Sequence, residues 1–288
     1  MRLAILGLGL IGGSVLRAAL DRKLASEVKG WDDSPAVLEA AREAGFGRHV
    51  AQTLEEACAG ATMCLVAVPA QAVPILVDRA RRALPPGGVV TDTAGTKGWI
   101  AGEVRRLAQL PPGPRDGQDL PPFVGGHPIT GSERGGFAAS SAALFDGRPW
   151  IIVPEASRTA AGRVETLVRG LGARPTRASA ETHDRTLALT SHLPYLLAVA
   201  LAESAGKDRD TVAALVPFVA GGFRDSTRLA LQDPVMGLDM LTTNAAELTR
   251  ALAEVTAAAR AAIADRPADR LRRAREFRAE LGRLKQWP

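Results

Sequence analysis

Near the N-terminus, Leu3-Ala-Ile-Leu-Gly7-Leu-Gly9-Leu-Ile-Gly12 runs four apolar residues into the spacing Gly-x-Gly-x-x-Gly, and an apolar periodic stretch continues through Leu20. Strand, tight turn and helix in that order satisfy the pattern. Gly7 permits the turn, Gly9 leaves the backbone open to a pyrophosphate, and Gly12 lets the helix lie against the strand. The first amides of the helix, Leu10 and Ile11 among them, and its dipole favour phosphate. Glycine spacing alone also fits a strand–helix turn that binds nothing. A second apolar segment, Val28–Trp31, ends at Asp32, 20 residues beyond Gly12. A carboxylate at that distance accepts the ribose hydroxyls of NAD and repels a 2′-phosphate, so NAD is the expected cofactor.

At 288 residues the chain is long enough for two domains, each with a core. With 46% hydrophobic and 23% charged residues it has the composition of a globular protein. No apolar run of bilayer-crossing length and no membrane partner are expected. The N-terminus starts as strand rather than with the zones of a signal peptide, so a cytoplasmic protein is expected. Cys58 and Cys64, the only cysteines, cannot by themselves build a disulfide framework or a metal site, and no metal is expected. The net charge is +5, yet +4 of it lies between Asp265 and Lys285, where Phe277 is the only aromatic. That tail reads as a solvated or subunit-facing helix, not as a nucleic-acid surface.

Residues 1–178 alternate strand-like runs with helical patterns. The strands are Leu3–Leu6, Val28–Trp31, Met63–Val68, Gly88–Thr91, Phe123–Gly126 and Trp150–Val153, with helices over 11–21, 35–44, 71–83, 98–109 and 158–170. This predicts an α/β fold, a Rossmann-type, mostly parallel sheet with helices on both faces and ligands at the carboxyl ends of the strands. Val68 and Lys97 fall at such ends and are expected beside the cofactor. Leu110–Pro122, rich in proline and glycine, reads as a surface loop. Residues 179–288 are alanine- and leucine-rich periodic segments broken near Gly206, Gly221-Gly222, Asp233-Pro234 and Pro267, an all-helical domain whose apolar faces point to a homodimer.

Chemistry concentrates in a few stretches. His127, in Gly125-Gly-His-Pro-Ile-Thr-Gly131-Ser132-Glu133, sits where a strand ends and can aim an imidazole into the cofactor crevice, although the same place suits a histidine capping a surface turn. Thr93, Thr96 and Lys97 follow another strand; the threonines also suit helix capping, and Lys97 either offers a cation to the reaction or is solvated. His183 and His192 are nine residues apart, about half a turn out of phase on a straight helix, so both reach one site only if a bend or Pro194 intervenes. Arg224 and Arg228, four apart, share a helix face on which a guanidinium can clamp a carboxylate, with Asp225 pointing elsewhere.

Together these motifs resemble the prephenate/arogenate dehydrogenase family of tyrosine biosynthesis, over nearly the whole chain: Gly7–Gly12 with Asp32, Asp92–Lys97, His127-Pro-Ile-Thr-Gly-Ser-Glu133, His183-Asp184, Ser191-His192-Leu-Pro, and Gly222-Phe-Arg-Asp-Ser-Thr-Arg228 through Asp233-Pro234. The resemblance implies NAD-dependent oxidation and decarboxylation of prephenate to 4-hydroxyphenylpyruvate, or of arogenate to tyrosine. His127 would then be the catalytic base. Arg228 would bind a substrate carboxylate, Ser132, Glu133, His192 and Arg224 would contact the substrate, and Glu133 and Asp184 would form a polar network with the arginines. Three positions depart from the family pattern: Gly95 replaces a common serine, Tyr195 a frequent histidine and Gly237 a frequent tryptophan. A β-hydroxyacid or imine reductase is a weaker match, because those enzymes generally use a lysine of the helical domain and only Lys207 and Lys285 occur there. A nucleotide-binding module without catalysis is the remaining alternative.

Overall fold

The computed structural model describes residues 1–110, 119–130, 135–154, 157–264 and 267–286. Ser132, Glu133 and the middle of the Leu110–Pro122 segment lie outside the described residues. In β1 (Arg2–Leu6), Leu3 and Ile5 enter one core while Ala4 and Leu6 enter the other, because successive strand side chains point to opposite faces. After it come α1 (Leu10–Asp21), β2 (Glu27–Trp31), α2 (Pro35–Ala41), α3 (Leu54–Cys58), β3 (Met63–Val66), α4 (Val73–Ala83), β4 (Val89–Asp92), α5 (Gly98–Ala108), β5 (Phe123–Pro128), β6 (Pro149–Val153), α6 (Arg158–Gly170) and β7 (Arg174–Arg177). The strands form one seven-stranded sheet, β2-β1-β3-β4-β5-β6-β7, in which β6 runs antiparallel to β5 and the other neighbours are parallel.

The chain leaves β1 for β2 on one side and returns for β3 on the other, so the crevice at the carboxyl ends of β1 and β3 is the topological switch point. Gly7 turns there with φ of +92°, and a Cβ on it would lie 2.3 Å from the carbonyl oxygen of Ala67. Two elements escape the sequence pattern. The edge strand β7 is Arg-Pro-Thr-Arg, mostly exposed and without apolar alternation, a composition that blunts an edge against pairing. The five-residue α3 is too short for periodicity and is marked only by its Thr53 cap, which accepts from the amide of Glu56.

The remainder is helical, as expected: α7 (Ala180–Leu187), a π-turn at Ala188–His192, α8 (Leu193–Ala205), α9 (Arg209–Leu215), α10 (Gly221–Thr227), a tight turn at Arg228–Leu231, α11 (Pro234–Thr243), α12 (Ala245–Ala264) and α13 (Pro267–Lys285). Contrary to the sequence expectation, the run Ala180–Ala205 is long and apolar enough to cross a membrane by length and composition. Its His183, Asp184 and His192 are nevertheless buried, and α7 packs on α5 and α12. A short seam at the end of α11 joins the helical half to the sheet. Asp239 accepts from the amide of Ala70 at 2.6 Å and from the Gln71 side chain at 2.9 Å, and the Thr243 and Thr96 hydroxyls meet at 2.8 Å, while within the helical half Asn244 donates to the carbonyl of Asp184 at 2.9 Å.

Candidate active site

The turn after β1 has the shape a dinucleotide needs. A Cβ on Gly12 would strike the carbonyl oxygen of Gly7 at 1.8 Å, so α1 lies hard against the turn, whereas nothing lies within 4 Å of a Cβ built on Gly9. Leu10 and Ile11 open α1, with their amides at its positive end. Asp32, at the end of β2, accepts from the Leu8 amide at 2.7 Å through one oxygen and from the Ser34 amide at 2.9 Å through the other. Each oxygen keeps a lone pair for a ribose hydroxyl. Burial raises the Asp32 pKa against the lowering effect of those two amides. Val68 stands across the crevice, its side chain 2.8 Å from where a Cβ on Gly7 would lie.

Beyond β3 in the sheet, the neighbouring strands β4 and β5 end in a buried polar cluster. Asp92, fully buried, accepts from the Gly126 amide at 2.9 Å and the Ala94 amide at 3.1 Å, and pairs with the Lys97 ammonium. Lys97 also donates to the Gly126 carbonyl at 2.7 Å. Lys97 is therefore neither solvated nor on the surface: it is 2% exposed and staples β4 to β5 one residue before His127. Burial lowers its pKa, while Asp92 and Asp184 pull the other way.

His127 is half-buried at the end of β5. Its Nδ1 lies 2.9 Å from Nε2 of His183, and the two rings meet edge to face. The His127 Nε2 faces Gly95, where a Cβ would sit 3.8 Å away, so the missing serine side chain leaves room at that nitrogen. Burial, followed by the neighbouring His183, Lys97 and His192, pushes the His127 pKa well below the usual histidine value, and the ring is neutral at pH 7.

Both helical-domain histidines reach this cluster. A proline inside a helix cannot donate to the carbonyl four residues back and clashes with it, and the π-turn immediately before Pro194 absorbs that conflict. The wider turn takes His192 out of the straight-helix phase that would oppose it to His183. The Nδ1 of His192 is 3.0 Å from the Asn244 amide nitrogen, and burial lowers its pKa to about 4. Asn244 was not singled out in the sequence; its position at the break between α11 and α12 is the one local signal.

Asp184, expected in a network with the arginines, instead caps α5. It accepts from the amides of Lys97 at 2.8 Å and Gly98 at 2.7 Å and from Nδ1 of His183 at 2.7 Å. Burial raises its pKa, but these hydrogen bonds outweigh burial and hold it below the usual carboxylate value. Arg224 and Arg228 lie outside the buried histidine cluster, exposed on α10 and the turn after it, elements that pack on α8. Asp225 does not point elsewhere: its carboxylate pairs with Arg224 at 2.9 Å.

Residues 17–176 match the family described as prephenate dehydrogenase, nucleotide-binding domain, and residues 179–276 match prephenate dehydrogenase, dimerization domain. The chain belongs to the prephenate dehydrogenase family. Among its curated relatives, a cyclohexadienyl dehydrogenase of Zymomonas mobilis is 32% identical over 85% of this chain and 82% of its own length. A prephenate dehydrogenase of Bacillus subtilis is 30% identical over 83% of this chain and 62% of its own length. Among solved structures, a prephenate dehydrogenase of Aquifex aeolicus in complex with hydroxyphenyl propionate and NAD+ superposes with a TM-score of 0.82 at 21% identity, over 99% of this chain and 98% of that one, which shows the shared fold.

Proposed function

We propose that the protein oxidises and decarboxylates prephenate to 4-hydroxyphenylpyruvate with NAD, within tyrosine biosynthesis. The observation that carries this reading is the His127 imidazole, neutral, with Nδ1 tied to His183 and Nε2 open, at the end of the strand two places from the switch-point crevice. Gly7, Gly9, Leu10, Ile11, Gly12 and Val68 would hold the pyrophosphate end of NAD, and Asp32 its ribose. The acid disfavours the extra phosphate of NADP. Bound NAD supplies the hydride acceptor.

His127 takes the C4 hydroxyl proton at Nε2 as the C4–H bond gives up its electron pair as hydride. The ring carboxylate leaves as carbon dioxide, its bonding pair enters the ring, and the proton held on His127 returns to the phenolate oxygen. Aromatisation drives the step, so the protein's task is to orient the ring and move one proton. Lys97 and Asp92 hold the end of β5 under His127 rather than contacting the reacting atoms. Arg228 and Arg224 are the cations assigned to the substrate carboxylates, and Ser132, Glu133 and His192 are the further residues assigned to the substrate.

In this reading residues 1–178 bind the nucleotide, and residues 179–288 bind substrate and pair two copies in the cytoplasm. Support for the pairing comes from Leu231, Ile263 and Phe218, which are 87%, 86% and 83% exposed on the helical half. Sedimentation at micromolar concentration should give a dimer, and a monomer refutes the pairing.

Oxidation of arogenate to tyrosine by the same residues is a second reading, favoured by the likeness to a cyclohexadienyl dehydrogenase. The test is steady-state turnover of prephenate and arogenate, each with NAD and with NADP. Turnover of prephenate with NAD is expected. Binding of NAD without turnover of either cyclohexadiene overturns the proposal.

A further inference from the structure

We propose that His183 and Asp184 are positioning residues that fix the protonation pattern of His127 and share the charge it gains, an inference resting on His127 being the base. The pattern follows from which atoms can donate. Asp184 accepts backbone N–H groups through both oxygens, Lys97 on one and Gly98 on the other, which suits the ionised, acceptor-only form. The His183 Nδ1 that lies 2.7 Å from it must therefore carry a hydrogen. A neutral His183 then has a bare Nε2, and the His127 Nδ1 facing it at 2.9 Å must be the donor. That leaves the lone pair of His127 on Nε2, the atom that looks into the space at Gly95. The opposite arrangement, hydrogen on Nε2, would leave His127 nothing with which to take a proton.

The same chain of atoms responds to catalysis. Proton uptake at His127 Nε2 makes a cation among groups that resist it: the ring of His183 from α7, the Lys97 ammonium before α5, whose partner is Asp92 of β4, and His192 from the π-turn. The Nδ1 hydrogen of His127 can move to Nε2 of His183. His127 is then neutral again with its hydrogen on Nε2, and the cation rests on His183, beside the carboxylate. No atom is gained or lost, and the reverse movement returns the proton to the product oxygen. Asp184 is held rigidly for this by the α5 amides and by Asn244, which ties its carbonyl.

The chain has only four histidines, so its imidazole nitrogens can be resolved one by one. Long-range proton–nitrogen spectra of the full chain labelled with 15N-histidine, assigned by single replacements, should show His127 and His183 both hydrogenated on Nδ1. In His183→Leu and Asp184→Asn, His127 should lose that form, and kcat should fall by about 10² or more, the span of acid–base assistance. NAD binding should be unchanged in both, and in Asp184→Asn the acid limb of kcat/KM should move to lower pH because the shared imidazolium loses its carboxylate. His183→Gln, which keeps an acceptor for Nδ1–H but has no basic nitrogen to take that proton, should restore the His127 hydrogen to Nδ1 but only part of kcat.

A wild-type His127 hydrogenated on Nε2 overturns the inference, as do variants with unaltered spectra and pH profile. If a variant fails to fold, the wild-type spectrum still decides. Undiminished turnover in His127→Asn would remove the base itself, a separate failure.

Discussion

Two of the departures from the family pattern are one packing event, and this can be tested by a single methyl group. Tyr195 of α8 is 7% exposed, and its ring lies against Gly237 in the middle of α11. A Cβ at Gly237 would stand 2.0 Å from the Tyr195 hydroxyl oxygen, 2.5 Å from Cζ and 2.8 Å from Cε1. Carbon contacts settle near 3.5–4.0 Å, so the ring would have to move by roughly an ångström or more within a packed interface. Overpacking of this kind costs about 1–3 kcal/mol. For a domain approaching this size that lowers Tm by roughly 2–12 °C, at about 2–4 °C per kcal/mol. In a Tyr195→Ala background the obstacle is gone, and the same Gly237→Ala change in a helix interior should instead stabilise by about 0.5–1 kcal/mol. A double-mutant cycle by urea or thermal unfolding should therefore return a coupling on the order of 1.5–4 kcal/mol. If Gly237→Ala costs the same in both backgrounds, or stabilises the wild type, the reasoning is wrong.

Replacing His127 with Asn should leave NAD binding intact while lowering turnover by about 10²–10⁴, measured in steady state and by cofactor titration. Arg228→Ala should raise the Michaelis constant for prephenate strongly with a smaller effect on kcat; an unchanged constant sends the carboxylate elsewhere. Because His192 has its pKa lowered from 6.5 to about 4, it is neutral in the fold while the unfolded chain binds its proton first as pH falls. Its contribution is complete above pH 6.5 and fades toward pH 4, a loss of about 3 kcal/mol at 1.36 kcal/mol per pKa unit. Urea midpoints between pH 7 and 4.5 should show this slope, and His192→Gln should flatten it; an equal slope in the variant counts against the assignment.

What could be read in advance was local. Four apolar residues before Gly7, an acid 20 residues after Gly12 and a histidine closing an apolar run are statements about short stretches, and the sheet and its crevice follow from them. What escaped depends on partners far apart in the chain. Asp92 meets the Gly126 amide, Asp184 caps the helix that starts at Gly98, and Asn244 reaches back to His192. Lys97 was open to a solvated reading because a lysine after a strand carries no mark of burial; only the tertiary placement of Asp92 and the Gly126 carbonyl makes its burial tolerable. For His183 and His192 the exception to straight-helix phasing is the one that holds, a π-turn ahead of Pro194. The pairing of Arg224 with Asp225 was misjudged because adjacent residues on a short, exposed helix can still bend their side chains together.

The seam at the end of α11 bears on how such a protein can be re-engineered. Within six consecutive residues, 239–244, side chains reach the turn after β3, the residue before Lys97 at the start of α5, and His192 at once. A chimera that takes its helical half from a relative must therefore find acceptable counterparts for Ala70, Gln71 and Thr96 as well, even though they belong to the other half. A junction cut cleanly after residue 178 would graft the right helices onto an unmatched socket.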